Sequence, residues 1–240
     1  MVCVIHHLGM GDQIMLNGLV RHLAESEKVL VVAQHHQEES IKFMYRDEKN
    51  IDFIFTGTEP SEIWEKAKSS GHNILPLATY GVDTDFWKFV TEGQGKIFSN
   101  WAYGVYIQAG INPYYMYSKF KVYRNEKNEN ELYEKLNLKG KEYIFIHDGT
   151  GEKECKECRK DLFIVRPNIK DSSNIFNYLK IMENAKEIHC MNSSYAWLVN
   201  LFRIGNKNTN FFHTNLAYQS YTDRDVKIVF DEDLWTFVLY

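Results

Sequence analysis

The stretch Cys3-Val4-Ile5-His6-His7-Leu8-Gly9-Met10-Gly11-Asp12-Gln13-Ile14 runs as a short apolar strand through two glycines and an aspartate into a helix. Gly9 and Gly11 are expected to give the backbone conformations closed to other residues and to bring main-chain N–H groups near a ligand above the strand end. Asp12 stands at the mouth of the helix, either as a reactive carboxylate or as the N-cap that satisfies an orphan backbone donor. The spacing departs from a nicotinamide fingerprint, which wants a third glycine where this chain has Asp12-Gln13-Ile14. The second strand, ending Val31-Val32-Ala33-Gln34-His35, also lacks the acidic residue that would hold a ribose hydroxyl.

Outward from this turn, Ile14, Met15, Leu19, Val20 and Leu23 recur on one side of a helix reaching about Glu25, with Arg21 and Glu25 facing out. The pattern continues with a strand over 28–33, a helix over 38–46, a strand over 51–56, a helix over 62–69 capped by Ser61, and a strand over 73–77. Strands alternating with helices at this interval imply a parallel sheet. The right-handed crossover rule makes it an open, doubly wound domain with its ligand crevice at the strand C-terminal ends. Asp12, His7, His35, Thr79 and Asp83 belong to that edge.

Segments 86–90 and 100–109 read as helices, Gly110-Ile111-Asn112-Pro113 as a stop, 119–123 as a short strand, and 124–130 as a polar connection. The alternation then restarts with a helix over 132–136, a strand over 143–147 and the turn Asp148-Gly149-Thr150-Gly151. A strand over 162–165 ends in Arg166-Pro167, and a helix over 174–184 and a strand over 187–191 follow. Asn192-Ser193-Ser194 caps a helix from Tyr195 to about Arg203, with late strands over 211–213 and 227–229. The expected fold class is α/β: two Rossmann-like doubly wound domains, 1–130 and 131–240, facing each other across a cleft.

Composition excludes several classes. Of 240 residues, 44% are hydrophobic and 25% charged, as in an ordinary soluble globular protein. The 15 Tyr, 15 Phe and 5 Trp suit planar ligands such as sugars or bases, although most serve the core. The net charge of −4 without a Lys/Arg stripe argues against nucleic-acid binding. No run approaches the ~20 apolar residues of a transmembrane segment, and the N-terminus lacks a basic stretch followed by an apolar one, so a cytoplasmic protein is expected. Four dispersed cysteines make no disulfide framework. Cys155 and Cys158 have the separation of half a zinc site, but Cys3 and Cys190 fall in strands and offer no second pair.

Several polar groups gather at the strand ends of the second half. Asn192, Ser193 and Ser194 offer two hydroxyls and free helix N–H groups, a cradle for a diphosphate or simply an N-cap. Arg166 follows a strand directly and could pair with phosphate oxygens or form an exposed salt bridge. His147, Gly149 and Thr150 lie in a polar glycine turn that binds phosphate through backbone N–H groups or leads into the charged segment 152–160. The pairs His6-His7 and His35-His36 end neighbouring strands, yet adjacent strand residues point to opposite faces, so a metal centre is not expected. Asp83-Thr84-Asp85 has the form that holds a divalent cation in single-sheet sugar-nucleotide transferases, or caps a helix ahead of Phe86-Trp87.

His7-Leu8-Gly9-Met10-Gly11-Asp12-Gln13-Ile14, with Asn17-Gly18-Leu19-Val20-Arg21 behind it, resembles the N-terminus of two-domain GT-B glycosyltransferases of the heptosyltransferase-like group. Ile188-His189-Cys190-Met191-Asn192-Ser193-Ser194 is similar to the donor-phosphate turn of their C-terminal domain. The resemblance implies transfer of a sugar from a nucleotide-diphosphate sugar to a hydroxyl of a glycan or glycolipid, with inversion, no metal and no cofactor beyond the donor substrate. It makes Asp12 the general base and Arg166, Ser193 and Ser194 donor contacts; His7, Gly9, Gly11 and His35, at the strand edge of the first half, are read from their position as acceptor-side loop residues. The chain departs from the group in being short for a two-domain transferase. Other readings of the same residues are a metal-dependent transferase using Asp83 and Asp85, a nucleotide-sugar epimerase, and a non-catalytic sugar- or nucleotide-binding module.

Overall fold

The computed structural model describes residues 1–6, 8–78, 101–148, 158–159, 161–213, 231 and 233–238. The chain divides into two compact units, Met1–Tyr123 and Arg124–Tyr240. Several expectations fall outside the described residues: His7, Thr79, Asp83, Asp85, Gly149, Thr150, Cys155, the helix over 86–90 and the strand over 227–229.

Unit 1 is built on strands β1 (Val2–Ile5), β2 (Val29–Gln34), β3 (Ile51–Thr56) and β4 (Asn73–Pro76), all parallel, in the order β3-β2-β1-β4. Period-2 alternation sends Cys3, Ile5, Leu30 and Val32 to one face, where Ile63 and Ala67 of α4 (Pro60–Ser69) complete a buried cluster. That helix starts two residues earlier than expected, with Pro60 at its first position and Glu59 rather than Ser61 as N-cap, because a missing N–H is harmless there. Between β1 and β2 the chain forms α1 (Met10–Met15) and α2 (Asn17–Ala24) in place of one helix, and α3 (Glu38–Tyr45) follows β2. Arg21 does not face out. Its side chain is buried and donates to Asp47 at 2.7 and 3.1 Å and to the Met44 carbonyl at 2.9 Å.

Helices α5 (Trp101–Gln108) and α6 (Tyr115–Ser118) follow among the described residues of this unit. Gly18 of α2 lies so close to α6 that a Cβ there would stand 2.0 Å from the Tyr115 carbonyl oxygen. The segment 119–123 is irregular where a strand was expected. Side chains tie it down instead: the Lys121 N–H donates to Asn17 Oδ1 at 2.9 Å, Arg46 donates to the Tyr123 carbonyl at 2.6 Å, and Lys119 pairs with Glu25.

Unit 2 opens with α7 (Glu126–Lys135), which starts well before the expected 132 because Asn125 caps it, accepting from the Asn128 N–H. The helix runs through the 130/131 boundary expected from the sequence and lies wholly in this unit. Its sheet contains β5 (Tyr143–His147), β6 (Phe163–Val165), β7 (Glu187–Cys190), β8 (Asn210–His213) and β9 (Thr236–Val238), all parallel, in the order β6-β5-β7-β8-β9. Strand β9 carried no sequence expectation. Ile144, Ile146 and Cys158 pack with Leu162 and Ile164 on one face. Phe145, Tyr178 and Tyr195 form an aromatic cluster, Tyr178 and Tyr195 meeting edge to face at 5.7 Å. A 3-10 turn over Ile175–Tyr178 leads into α8 (Leu179–Glu183), and α9 (Ser194–Phe202) follows β7. Among the described residues no helix is long and apolar enough to cross a membrane.

Candidate functional site

In an open parallel sheet, ligands bind beyond the strand C-terminal ends where the strand order reverses direction. The order β3-β2-β1-β4 reverses between β1 and β4, and β6-β5-β7-β8-β9 reverses between β5 and β7. The first point is flanked by the Leu8–Asp12 turn and by Leu77-Ala78, the second by His147-Asp148 and Asn192-Ser193-Ser194.

The unit 1 turn is wired differently from the sequence expectation. Gly9, with φ of −65°, is the N-cap of α1, while Asp12 is the third helical residue and its Oδ2 accepts from the Gly9 N–H at 3.1 Å. A Cβ at Gly9 would meet Asp12 Oδ2 at 2.6 Å, so a larger residue there would push the carboxylate from its present place. Gly11 lies inside α1 and is helical. The left-handed residue is Leu8, with φ of 59°, a conformation costing about 1–3 kcal/mol for a side chain of this kind. Its N–H donates to Nδ1 of buried His6 at 3.1 Å, and its carbonyl accepts from Gln37 Nε2 at 2.8 Å. Ala78 across the switch point is also left-handed, with φ of 48°, and its N–H donates to Gln108 Oε1 at 3.1 Å. His35 and His36 are exposed in the 3-10 turn His35–Gln37. Sequence reading singled out those histidines; the residue of that turn that reaches the β1–α1 loop is Gln37.

In unit 2, Ser193 is the N-cap of α9 and its hydroxyl accepts from the Ala196 N–H at 3.5 Å, leaving Ser194 in the first turn. The Met191 N–H donates to the His147 carbonyl at 3.1 Å, so the β7 turn and the end of β5 are adjacent. The His147 ring packs on Tyr195 at 4.7 Å, and its Nδ1 is buried with no hydrogen-bond partner among the described residues. Burial pushes this imidazole down to about 4, against a smaller opposing pull from Asp148. Arg166 is paired: Nη2 donates to Asp148 Oδ2 at 3.1 Å and Nε to Oδ1 at 3.4 Å, the arginine being 46% exposed and the aspartate 8%. Asp148 was read only as part of a glycine turn; an acid directly after a strand was the available signal.

A second polar row lies on this sheet. His189 Nδ1 and His213 Nε2 stand 3.0 Å apart, and His189 Nε2 is 3.0 Å from Glu187 Oε2. An ionised Glu187 can only accept, so neutral His189 donates from Nε2 and accepts at Nδ1 from His213. Burial, and then the cost of placing a second positive charge beside His189, press His213 down to about 4 against a weaker pull from Asp148, and burial lowers His189 against Glu187. Among the described residues no three His, Cys, Asp or Glu side chains gather as a metal-holding group.

The order and parallel pairing of both sheets define a protein of two Rossmann-like α/β units. It is similar to the crystal structure of the glycosyl transferase family 9 from Veillonella parvula DSM 2008, with a TM-score of 0.57 and 10% identity over 99% of this chain and 86% of that one. At that identity the likeness speaks for the fold. No protein-family model matches the chain. No curated protein matches it either.

Proposed function

We propose that the protein is a metal-independent, inverting glycosyltransferase of the heptosyltransferase-like GT-B group, moving a sugar from a nucleotide-diphosphate sugar to a hydroxyl of a glycan or glycolipid. The observation that carries this reading is that each switch point bears a group the reaction needs: Asp12 in unit 1, and the capped start of α9 in unit 2. A single displacement requires a base for the incoming hydroxyl and stabilisation of the departing diphosphate. Asp12 takes the hydroxyl proton as the oxygen bonds to the anomeric carbon, and the carbon–oxygen bond to the diphosphate breaks with its electrons on the phosphate oxygen. The first-turn N–H groups of α9, the hydroxyls of Ser193 and Ser194, and Arg166, oriented by Asp148, offset that charge. Asn192 and His147 supply neutral hydrogen-bonding groups beside them. Likeness to a solved structure that bears the glycosyl transferase name supports the same reading.

The test is a panel of nucleoside diphosphates and their sugars, screened by thermal shift and then for nucleoside diphosphate release with hydroxyl acceptors. Release that needs both donor and acceptor and persists in chelator is expected. Binding without release would leave a binding module. Activity lost in chelator and restored by manganese would favour a metal-dependent transferase using Asp83 and Asp85.

A further inference from the structure

The carbonyl of Leu8 and the N–H of Gly9 belong to one peptide unit, and both ends are held by side chains. Gln37 Nε2 donates to the oxygen at 2.8 Å, and the N–H donates to Asp12 Oδ2 at 3.1 Å. A peptide unit is planar, so fixing its oxygen orients its N–H and with it the carboxylate that N–H grips. The preceding residue makes the grip necessary: Leu8 sits at φ 59°, and a bulky L-residue stays there only when its surroundings impose it. On the other side of the switch point a glutamine also holds a left-handed residue, but with the opposite polarity: Gln108 Oε1 accepts from the Ala78 N–H.

We propose that Gln37 is a positioning residue for Asp12, acting through the Leu8–Gly9 peptide; the inference rests on the reading of Asp12 as the base. Gln37 is 4% exposed, and its Oε1 is buried with no hydrogen-bond partner among the described residues. An apolar side chain of equal length would remove that orphan oxygen but leave the Leu8 carbonyl without its donor, so the amide is held there by this one bond. What the amide supplies is the orientation of one peptide.

Gln37→Met keeps the length and removes the donor. The expected result is that the Gly9 amide exchanges at least ~10-fold faster while the Leu19 amide, held by the Tyr106 hydroxyl, is unchanged. The turnover number kcat should fall roughly 10- to 100-fold, as for a misplaced reacting group, with donor KM held and the melting temperature lowered by the lost hydrogen bond. Unchanged Gly9 exchange together with unchanged kcat would overturn the proposal. If the methionine variant does not fold, Gln37→Leu, smaller and also without the donor, carries the same comparison. Wild-type protein that transfers no sugar, with Gly9 protection still lost in the variant, would remove the glycosyltransferase reading and leave the clamp standing.

Discussion

Asp12 accepts a main-chain N–H from three residues back, so its carboxylate is aimed before any substrate arrives. Asparagine can accept the same bond through Oδ1 but cannot take a proton. Asp12→Asn is therefore expected to fold and to bind donor as the wild type does, while the chemical step slows by about 10²–10⁴-fold. Transfer rate, donor affinity and melting temperature on the one variant check this. A wild-type rate would dismiss Asp12 as base and turn attention to His7 or His35. On the donor side, Arg166→Ala and the double change Ser193→Ala with Ser194→Ala should each weaken nucleoside diphosphate binding by about 1.5–3 kcal/mol, tenfold or more. The serine double variant should also melt earlier, having lost its N-cap, and Arg166→Ala should cost stability too, since it takes the arginine from an Asp148 side chain only 8% exposed. Calorimetry on the folded variants decides it, and unchanged affinity in both would place the donor elsewhere.

Helix α1 ends where it does because a tyrosine hydroxyl enters the helical ladder. Tyr106 of α5 donates to the Met15 carbonyl at 2.9 Å and accepts from the Leu19 N–H at 3.1 Å, occupying the two groups that an unbroken helix would join. The chain kinks at Leu16, and Asp12 stays in a six-residue helix of its own. Tyr106→Phe leaves a buried N–H and a carbonyl without the inserted partner and is expected to destabilise unit 1 by about 2 kcal/mol, read as a lower denaturation midpoint. A variant as stable as wild type would mean that Met15 and Leu19 simply close the ladder. Helix α7 shows the opposite case, its early start being written locally in Asn125. The missing strand at 119–123 shows what local pattern omits: an extended segment becomes a strand only beside another, and this one is held by Asn17 and Arg46.

For unit 2 taken whole, the buried His189 and His213 and the half-buried His147 set an acid limit. His147 and His213 are held down to about 4 in the fold, and His189 is lowered too, mainly by burial in each case. An unfolded histidine protonates near 6.5, so the unfolded chain binds more protons below that pH. Stability is thus fully present above about pH 6.5 and is lost as pH falls towards 4, by on the order of 3 kcal/mol for each of His147 and His213. Denaturation midpoints at pH 7 and pH 4.5 check the sign, and His147→Phe, which keeps the packing on Tyr195, should reduce the loss. An equal loss in that variant would clear His147 of the effect. The alternation of strand and helix, the parallel α/β class and the polar turns beyond Ile5 and Cys190 were legible in the sequence, because each element's burial period lies in its own residues. So was the capping role of Ser193, which needs only its neighbours. Sequence could not supply the strand orders that put Asp12 and Ser193 at switch points. Nor could it supply the grip of Gln37 on Leu8, the pairing of Arg21 with Asp47 and Arg166 with Asp148, or the contact of His189 with His213. Those rest on which segments lie side by side, and residues 18 or more apart along the chain meet only once the sheets have assembled.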